Sequence, residues 1–181
     1  ADWPKGDQSL LVYDRFDVWE LDPTGARAPR IVTDSLGRRQ HLVLRLVDLD
    51  PDDRYIDPAD PLLLRAFDDE TKASGFYEDR VGVTAPPRRI VMGDVAYGVP
   101  SKPRHGEGYV VARGTFTDFP DLYVGKSLAS LTKVSDANPQ QKEYKWGSVE
   151  LVHFKSSDGV PLKGLLYKPA GFDSTKKYPM I

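Results

Sequence analysis

The three histidines are the side chains best suited to accept a proton near neutral pH. His41, His105 and His153 lie far apart in the sequence, and none stands in the His-x-x-x-His spacing that a helix uses to bind a metal ion. His153 alternates with apolar neighbours in an extended segment, so its side chain faces away from theirs. Isolated histidines are more often packed or solvated than catalytic, and we assign none of them to an active site.

A Gly-Lys-Ser string at positions 125–127 suggests nucleotide binding at first sight. A phosphate-binding loop also needs a glycine five residues before the Gly-Lys pair, and Pro120 occupies that position. A serine hydrolase needs Gly-x-Ser-x-Gly at the turn that carries its nucleophile, and the 181 residues do not contain this pattern. The nearest string, Gly125–Ala129, lacks the second glycine, so we predict an ordinary turn.

An acidic segment, Asp48–Asp53, begins like a calcium-binding loop. An EF-hand loop needs glycine at its sixth position and glutamate at its twelfth, and the sequence has Asp53 and Ala59 there. We interpret the segment as a solvated turn, which leaves open only a weak, adventitious cation site.

The pair Arg38-Arg39, which follows Gly37, is the remaining candidate for binding a substrate. A guanidinium can hold a carboxylate through two parallel hydrogen bonds, but we favour a solvated loop. The sequence therefore supplies no residue that we assign as catalytic, cofactor-binding or metal-binding, and no cofactor is predicted.

Composition excludes several classes of protein. The 25 Lys and Arg nearly balance the 27 Asp and Glu, giving a net charge of −2; this argues against nucleic-acid binding, which needs a basic surface. No apolar run approaches the ~20 residues of a membrane-spanning helix. The absence of cysteine excludes disulfides, thiolate zinc sites and a cysteine nucleophile. It does not indicate whether the compartment is cytoplasmic, periplasmic or extracellular.

Short runs of β-branched, aromatic and leucine residues recur along the first 133 residues, separated by turn residues. These runs predict strands at 10–13, 16–21, 30–33, 42–47, 62–67, 75–81, 89–92, 109–113, 120–124 and 128–133. Three groups of three strands begin at Leu10, Leu62 and Tyr109, which are 52 and 47 residues apart. A period near 50 residues is typical of β-propeller blades with three or four antiparallel strands. A sandwich with accidental spacing is the alternative.

The pattern changes after residue 134. A polar segment with a helical turn after Pro139 is followed by two alternating runs, 149–155 and 161–168, around Asp158-Gly159, which is a strong hairpin signal. The sequence closes on an apolar run, where natural domains rarely end. We therefore predict a mainly β fragment of a longer chain, with partial propeller blades at 1–134, a linker at 135–147 and the truncated start of a second domain at 148–181.

The last third of the chain resembles a known family junction. Trp146–Val152, Ser157–Pro169 and Lys177–Ile181 resemble the point in prolyl oligopeptidase-family serine peptidases where the propeller joins the α/β-hydrolase domain. The resemblance is specific from about residue 120 onward. It implies that the hairpin is the first β-hairpin of an α/β-hydrolase sheet.

The resemblance also implies a function for the parent protein. It would be a serine peptidase that hydrolyses short peptides, with the propeller restricting access to a Ser-Asp-His triad beyond the position of Ile181. These 181 residues alone would then be inactive. Its partners would be a peptide substrate and, in the same chain, the remaining blades and the hydrolase domain.

Several alternatives stay open. Cleavage specificity can be that of an endopeptidase, a dipeptidyl peptidase or an acylaminoacyl peptidase, and an oligomer of identical chains is not excluded. The main alternative function is a non-catalytic β-propeller module that binds other proteins. A carbohydrate-active propeller enzyme, with essential carboxylates in its blades, is a weaker one.

Overall fold

The computed structural model of the chain describes residues 2–50, 52 and 55–180. Pro51 and Asp53 of the acidic segment, and Ile181 at the close of the apolar run, lie outside the described residues. The described strands are β1 (Leu10–Tyr13), β2 (Val18–Leu21), β3 (Arg30–Ile31), β4 (Leu42–Leu46), β5 (Leu62–Asp68), β6 (Ser74–Asp79), β7 (Arg88–Gly93), β8 (Ala96–Tyr97), β9 (Tyr109–Gly114), β10 (Asp121–Ser127), β11 (Ser130–Lys133), β12 (Ser148–Lys155) and β13 (Pro161–Lys168). A short helix, α1 (Leu36–Gln40), and a 3₁₀ helix (Pro139–Glu143) complete the elements of this part.

The strands form four separate antiparallel sheets in which sequence neighbours are paired. The first sheet contains β1–β3, the second β4–β7, the third β8–β11, and the last two strands form a hairpin. The prediction of a mainly β chain with small antiparallel sheets is confirmed. Each predicted group of three strands lies within one sheet, and β4 and β8 add a fourth strand to the second and third sheets. No sheet closes on itself within the described ranges, and the two strands of the hairpin do not show an α/β-hydrolase sheet.

The second sheet is buried on both faces. Alternate residues of a strand point to opposite faces, and β5 is apolar at nearly every position. Leu64 on one face joins the core shared with the first sheet, whereas Leu63 on the other joins the core shared with the third. Phe76 of β6 is fully buried in that second core, with its ring centroid 5.3 Å from that of Tyr97 on β8. The second sheet therefore ties the other two together.

Helix α1 corrects the prediction of a loop at Arg38-Arg39. It is only five residues long and lies between Ser35 and His41, both with left-handed backbone angles. Gly37 is needed in this helix, because a Cβ atom there would lie 2.7 Å from Asp17 Oδ1 and 2.8 Å from the Phe16 carbonyl oxygen. A helix this short has little intrinsic stability, so its contacts with the turn before β2 stabilise it, and the local sequence pattern did not reveal them.

The hairpin β12–β13 is paired continuously from Ser148↔Lys168 to Lys155↔Pro161. Its turn differs in detail from the expected one, because only Gly159 has a positive φ, 80°. The loop 156–160 is closed by a hydrogen bond from the Ser156 N–H to the Val160 carbonyl, 2.9 Å. A hairpin loop of this length needs a left-handed residue at one position only, which glycine supplies.

The segment between the third sheet and the hairpin packs against the third sheet. The Gln141 side chain donates to the Thr117 carbonyl at 2.7 Å and accepts the Phe119 N–H at 2.9 Å. Asp121 accepts hydrogen bonds from the Ser135 hydroxyl and the Ala137 N–H at 2.6 and 2.7 Å. The helical turn expected after Pro139 is confirmed as the 3₁₀ helix, whereas the division into domains at 134 and 147 stays a prediction. None of the helices described is long and apolar enough to span a membrane.

Candidate functional site

The structure does not assemble the histidines into a site. His41 follows α1, with Nδ1 3.9 Å from Glu70 Oε1. His105 lies in an exposed loop, and His153 lies on β12, opposite Lys163 of β13. Within the described ranges, no three His, Asp or Glu side chains cluster in the way that metal ligands do.

The 125–127 string and the acidic segment have structural roles rather than binding ones. The 125–127 string is the end of β10, where the pairing with β11 shifts between Val124 and Ser127. A Cβ at Gly125 would lie 2.1 Å from the Ser130 carbonyl oxygen, so this glycine serves the close approach of two strands. In the acidic segment, Asp48 accepts the Asp50 N–H at 3.1 Å, which is a turn contact rather than a metal-ligand geometry.

Arg38 binds carboxylates of the protein itself. Its Nε donates to Asp17 Oδ2 at 2.9 Å, and its Nη2 contacts Asp14 Oδ2. Asp17 is completely buried and also accepts the Thr33 hydroxyl and the Gly37 N–H, each at 2.8 Å. Since these donors satisfy both Asp17 oxygens, the cluster stabilises the contact between β2 and α1 and leaves no room for a substrate.

A pocket of about 210 Å³ opens on the second sheet, on the face turned toward the first sheet. It is larger than a second pocket of about 50 Å³ beside β9–β11, and residues from all four strands of the sheet or their ends line it. The lining residues are Gln40, Leu42, Asp68, Ala73, Tyr77, Arg89, Met92 and Gly93. This is the candidate functional site, because it brings a carboxylate, a guanidinium and a phenol together around an apolar floor.

An irregularity in strand pairing places Arg89 in the pocket. Phe76 pairs with Val91, but the next residue, Tyr77, pairs with Arg89, so that Ile90 is an extra residue in β7. Such a β-bulge turns the side chains beyond it toward the opposite face. Residues directly opposite each other in an antiparallel pair share a face, and Arg89 therefore lies on the same face as Tyr77.

The two charged groups of the pocket differ from the charged groups around it. Asp68 accepts the N–H groups of Glu70 and Thr71 at 2.8 and 3.0 Å. Partial burial works against ionisation of Asp68, but these hydrogen bonds outweigh it and hold the pKa of the carboxyl below its usual value. Arg89 donates to the Met92 carbonyl at 3.2 Å. Neither side chain forms an ion pair, with the other or with any further residue of the described ranges.

Tyr77 lies between these charges in the lining. The residue is 6% exposed, and its hydroxyl has no hydrogen-bond partner among the described residues. Burial raises the pKa of Tyr77, the Arg89 charge opposes that rise and the Asp68 charge adds to it. The phenol is therefore un-ionised at neutral pH and can donate or accept a hydrogen bond.

The acidic turn beside the pocket is neutralised by the rest of the protein. Asp69 pairs with Arg15 at 2.8 Å and with Lys72 at 3.2 Å. Glu70 Oε1 lies 2.5 Å from the Lys163 ammonium of the hairpin, which lowers the pKa of Glu70. Asp68 is thus the member of the turn left without a cationic partner in the described part of the chain.

Asp79 is a second unusual carboxylate, at the end of β6. It is 7% exposed, and its Oδ2 has no hydrogen-bond partner in the described ranges. It pairs in register with Leu62, which faces the first sheet, so Asp79 faces the same way. Burial raises its pKa to about 6; the charge of Asp34 adds to the rise, and the Arg80 N–H and the charge of Arg30 oppose it.

Comparison with known proteins gives a fold likeness. No protein-family model matches the chain, and no curated protein matches it. A solved structure of a variant of AtxE2 isopeptidase with Astexin3-dC4 bound superposes with a TM-score of 0.54 at 12% identity, covering 98% of this chain and 25% of that one. The apo structure of AtxE2 isopeptidase gives a TM-score of 0.45 at 14% identity, covering 90% of this chain and 31% of that one.

At 12% identity the first superposition shows a shared fold alone. The chain spans about a quarter of the length of that isopeptidase structure. The resemblance to prolyl oligopeptidase-family peptidases is wrong, because the structure with which this chain superposes at a TM-score of 0.54 is that of an isopeptidase, and the sheets within the described ranges do not close into a propeller. The hairpin string that suggested that family describes a strand–turn–strand unit, which many folds contain.

Sequence reasoning missed the pocket residues Asp68, Tyr77 and Arg89. Tyr77 and Arg89 fall within the predicted strands 75–81 and 89–92, and Asp68 directly follows the predicted strand 62–67. A bulge has no dependable sequence signal here, since Arg88–Met92 reads as a plain strand. The face on which Arg89 lies was therefore not predictable from the alternation of residues.

Proposed function

We propose that this chain is part of a hydrolase that cleaves amide bonds in peptides. The observation that carries the proposal is the fold shared over 98% of the chain with a structure of an isopeptidase. Its charge balance and polar pocket are compatible with peptide ligands. The described residues hold no catalytic constellation, so the proposal places the reacting groups elsewhere in the protein.

The finer form of the proposal concerns the role of the sheets. We infer that they are blades of a larger assembly of sheets and that the hairpin begins a second domain. The meander order within each sheet and the burial of the second sheet on both faces support this arrangement. In this arrangement residues 1–134 restrict the access of peptides, 135–147 connect, and 148–181 begin the part that carries a Ser-Asp-His triad.

Contacts between the sheets and the hairpin support a gating role. Phe116, in the β9–β10 loop, packs against Trp146 and Tyr167, with ring centroids 6.1 and 5.5 Å apart. Trp146 Nε1 also donates to the Gln141 carbonyl at 3.0 Å. The third sheet and the hairpin are therefore held together by a small aromatic cluster, and in the proposed arrangement its loosening would ease the access of long peptides.

Hydrolysis by the full-length protein that contains this chain tests the proposal. The purified protein is incubated with a linear peptide and with a peptide closed by a side-chain amide bond, and the products are identified by mass spectrometry. We expect cleavage of at least one of them, and covalent labelling by a fluorophosphonate probe. Cleavage without labelling contradicts the serine mechanism; failure to cleave any peptide contradicts the peptidase and favours the non-catalytic binding module.

A pair of variants tests the gate. Trp146→Ala removes one of the two aromatic partners of Phe116, and we expect kcat/KM for a long peptide to rise relative to a short one. Tyr144→Ala is the matched control, since this nearby aromatic side chain is 68% exposed. Equal effects of the two substitutions on the long-to-short ratio would contradict the gating role.

A further inference from the structure

The pocket on the second sheet contains two opposite charges, and neither forms an ion pair with another residue that the structure describes. The Asp68 carboxylate accepts the backbone N–H groups of Glu70 and Thr71, and the Arg89 guanidinium donates to the Met92 carbonyl. Both side chains line the same pocket, yet the structure contains no ion pair between them. Solvated charges in this arrangement are ready to exchange water for a ligand that carries both signs.

The β-bulge in β7 produces this arrangement of charges. In regular pairing Ile90 would lie opposite Tyr77, and the pocket would have an apolar wall without a cation. The bulge in β7 replaces that isoleucine by Arg89. The neighbouring residue, Arg88, pairs with Glu78 at 3.1 Å and does not line the pocket. One arginine of the pair therefore belongs to an ion pair and the other to the pocket.

The size of the pocket limits the ligand. Its volume of about 210 Å³ is below the ~300–1,000 Å³ of pockets that hold drug-sized molecules, and it equals about seven water molecules of ~30 Å³ each. Leu42 and Met92 give it an apolar floor, and the Gln40 amide adds a further polar group. A small polar molecule with a short apolar part fits these walls.

We propose that this pocket binds a small zwitterion of the size of a free α-amino acid, with its ammonium at Asp68 and its carboxylate at Arg89. The hydroxyl of Tyr77, which also lines the pocket, completes the site by accepting from the ammonium or donating to the carboxylate. The inference goes beyond the proposed function, since binding here requires no hydrolysis. A peptidase releases ligands of this class, but the site is defined by its own charges.

Isothermal titration calorimetry of the purified protein tests the inference with L-leucine as the probe. N-acetyl-L-leucine lacks the ammonium and L-leucinamide lacks the carboxylate, so each removes one of the two contacts. We expect L-leucine to bind at least tenfold more tightly than either analogue. No detectable binding of L-leucine, or equal binding of all three compounds, would overturn the inference.

Variants locate the binding. Asp68→Asn keeps an oxygen for the N–H groups of the turn and removes the negative charge. Arg89→Gln removes the positive charge. Each substitution should lower the affinity for L-leucine at least tenfold. Arg88→Gln is the matched control and should change the affinity less than twofold. Equal losses for Arg88→Gln and Arg89→Gln would overturn the assignment to this pocket. Thermal unfolding of each variant tests whether the fold is retained. If either charge variant fails to fold, Tyr77→Phe replaces it as the test. This variant keeps the ring in the core and should weaken the binding of L-leucine.

Two signatures separate this site from other effects. In Asp68→Asn, the affinity for L-leucine should fall to that of N-acetyl-L-leucine, because both complexes then lack the same contact. The measurement does not depend on peptide cleavage, so its outcome is distinguishable from that of the hydrolysis assay. Retained discrimination between L-leucine and its acetylated form in Asp68→Asn would overturn the assignment of the ammonium.

Discussion

The second sheet and the hairpin β12–β13 are both antiparallel, but they differ in what covers them. Apolar residues on both faces of the second sheet are buried against its neighbours. The hairpin has the same kind of side chains, yet Phe154 and Leu165 remain about half exposed. Hydrophobic stabilisation follows the area removed from water, so similar strands contribute very differently to the stability of this chain.

The difference teaches that strand pairing and stability are separate properties here. The hairpin has eight paired positions without an irregularity, whereas the second sheet contains a bulge and a core. A two-stranded ribbon is marginal in water unless a further layer covers it. The effects expected below follow from this contrast.

The largest expected effect comes from truncating matched phenylalanines. Phe76→Ala empties a fully buried position in the second sheet and should lower the free energy of unfolding by about 3–5 kcal/mol. Phe154→Ala in the hairpin should lower it by less than ~1 kcal/mol, since half of that side chain is already in water. Urea denaturation measures both. Equal losses would show that the hairpin is as well covered as the sheet.

The next largest effect comes from comparing a buried aspartate with an exposed one. Asp17→Ala leaves the buried donors of Thr33 and Gly37 without their carboxylate and removes one of the two carboxylates that Arg38 contacts. It should cost about 3 kcal/mol. Asp158→Ala, in the exposed hairpin turn, should change stability by less than ~0.5 kcal/mol. Denaturation curves of the two variants are compared at one pH. A small loss for Asp17→Ala would mean that the Arg38 cluster forms without it.

The buried carboxyl of Asp79 in the second sheet should make the free energy of unfolding depend on pH. Its folded pKa of about 6 lies above the ordinary 3.8, so the folded protein binds the proton more tightly than the unfolded chain. The contribution of Asp79 to the free energy of unfolding should therefore fall as pH rises from about 4 to about 6 and then level off. Asp79→Asn should abolish this fall and be more stable than the parent above pH 6, by about 1–2 kcal/mol.

The comparison for Asp79 is made in the hairpin. Asp158→Asn is the control variant, because that side chain is exposed. Unfolding free energies at pH 4, 5, 6 and 7 are sufficient. If Asp79→Asn were less stable than the parent at pH 7, the ionised carboxylate would be stabilising, and the interpretation of Asp79 as an unsatisfied group would fail.

The smallest expected effect concerns an ion pair between the hairpin and the second sheet. The Lys163–Glu70 ion pair connects the hairpin with the turn after β5, and a double-mutant cycle with Lys163→Met and Glu70→Gln should give about 0.2–1 kcal/mol of coupling. The coupling should weaken as salt rises, because the pair is partly exposed. The pair Lys168–Glu150, within the hairpin at 2.6 Å, is the control. A coupling energy well above that range would show that this ion pair contributes substantially to holding the hairpin against the second sheet.

Much of the secondary structure was predictable from local patterns. β1 and β13 match the predicted 10–13 and 161–168, and the other predicted strands are found with ends shifted by a few residues. Turn residues and alternation are local properties, and for that reason they are visible in a sequence. Helix α1 and the two-residue strand β8 were missed, because contacts distant in sequence stabilise them.

The candidate site was not predictable to the same degree. Asp68 directly follows a predicted strand, but its lack of a cationic partner in the described part of the chain depends on Lys72, Arg15 and Lys163 having paired with its neighbours. Likewise Arg38 and Arg89 look equivalent in the sequence. One binds two carboxylates of the protein and the other lines a pocket.

The sequence by itself determined the β character of this chain, the position of most strands and the hairpin around Gly159. These follow from side-chain alternation and from backbone angles that few residues adopt. Only the tertiary structure decided which faces are buried, which charges are paired and that Arg89 lies beside Tyr77. Those outcomes depend on the stacking of sheets and on one extra residue in β7, and both are properties of packing between segments far apart in the chain.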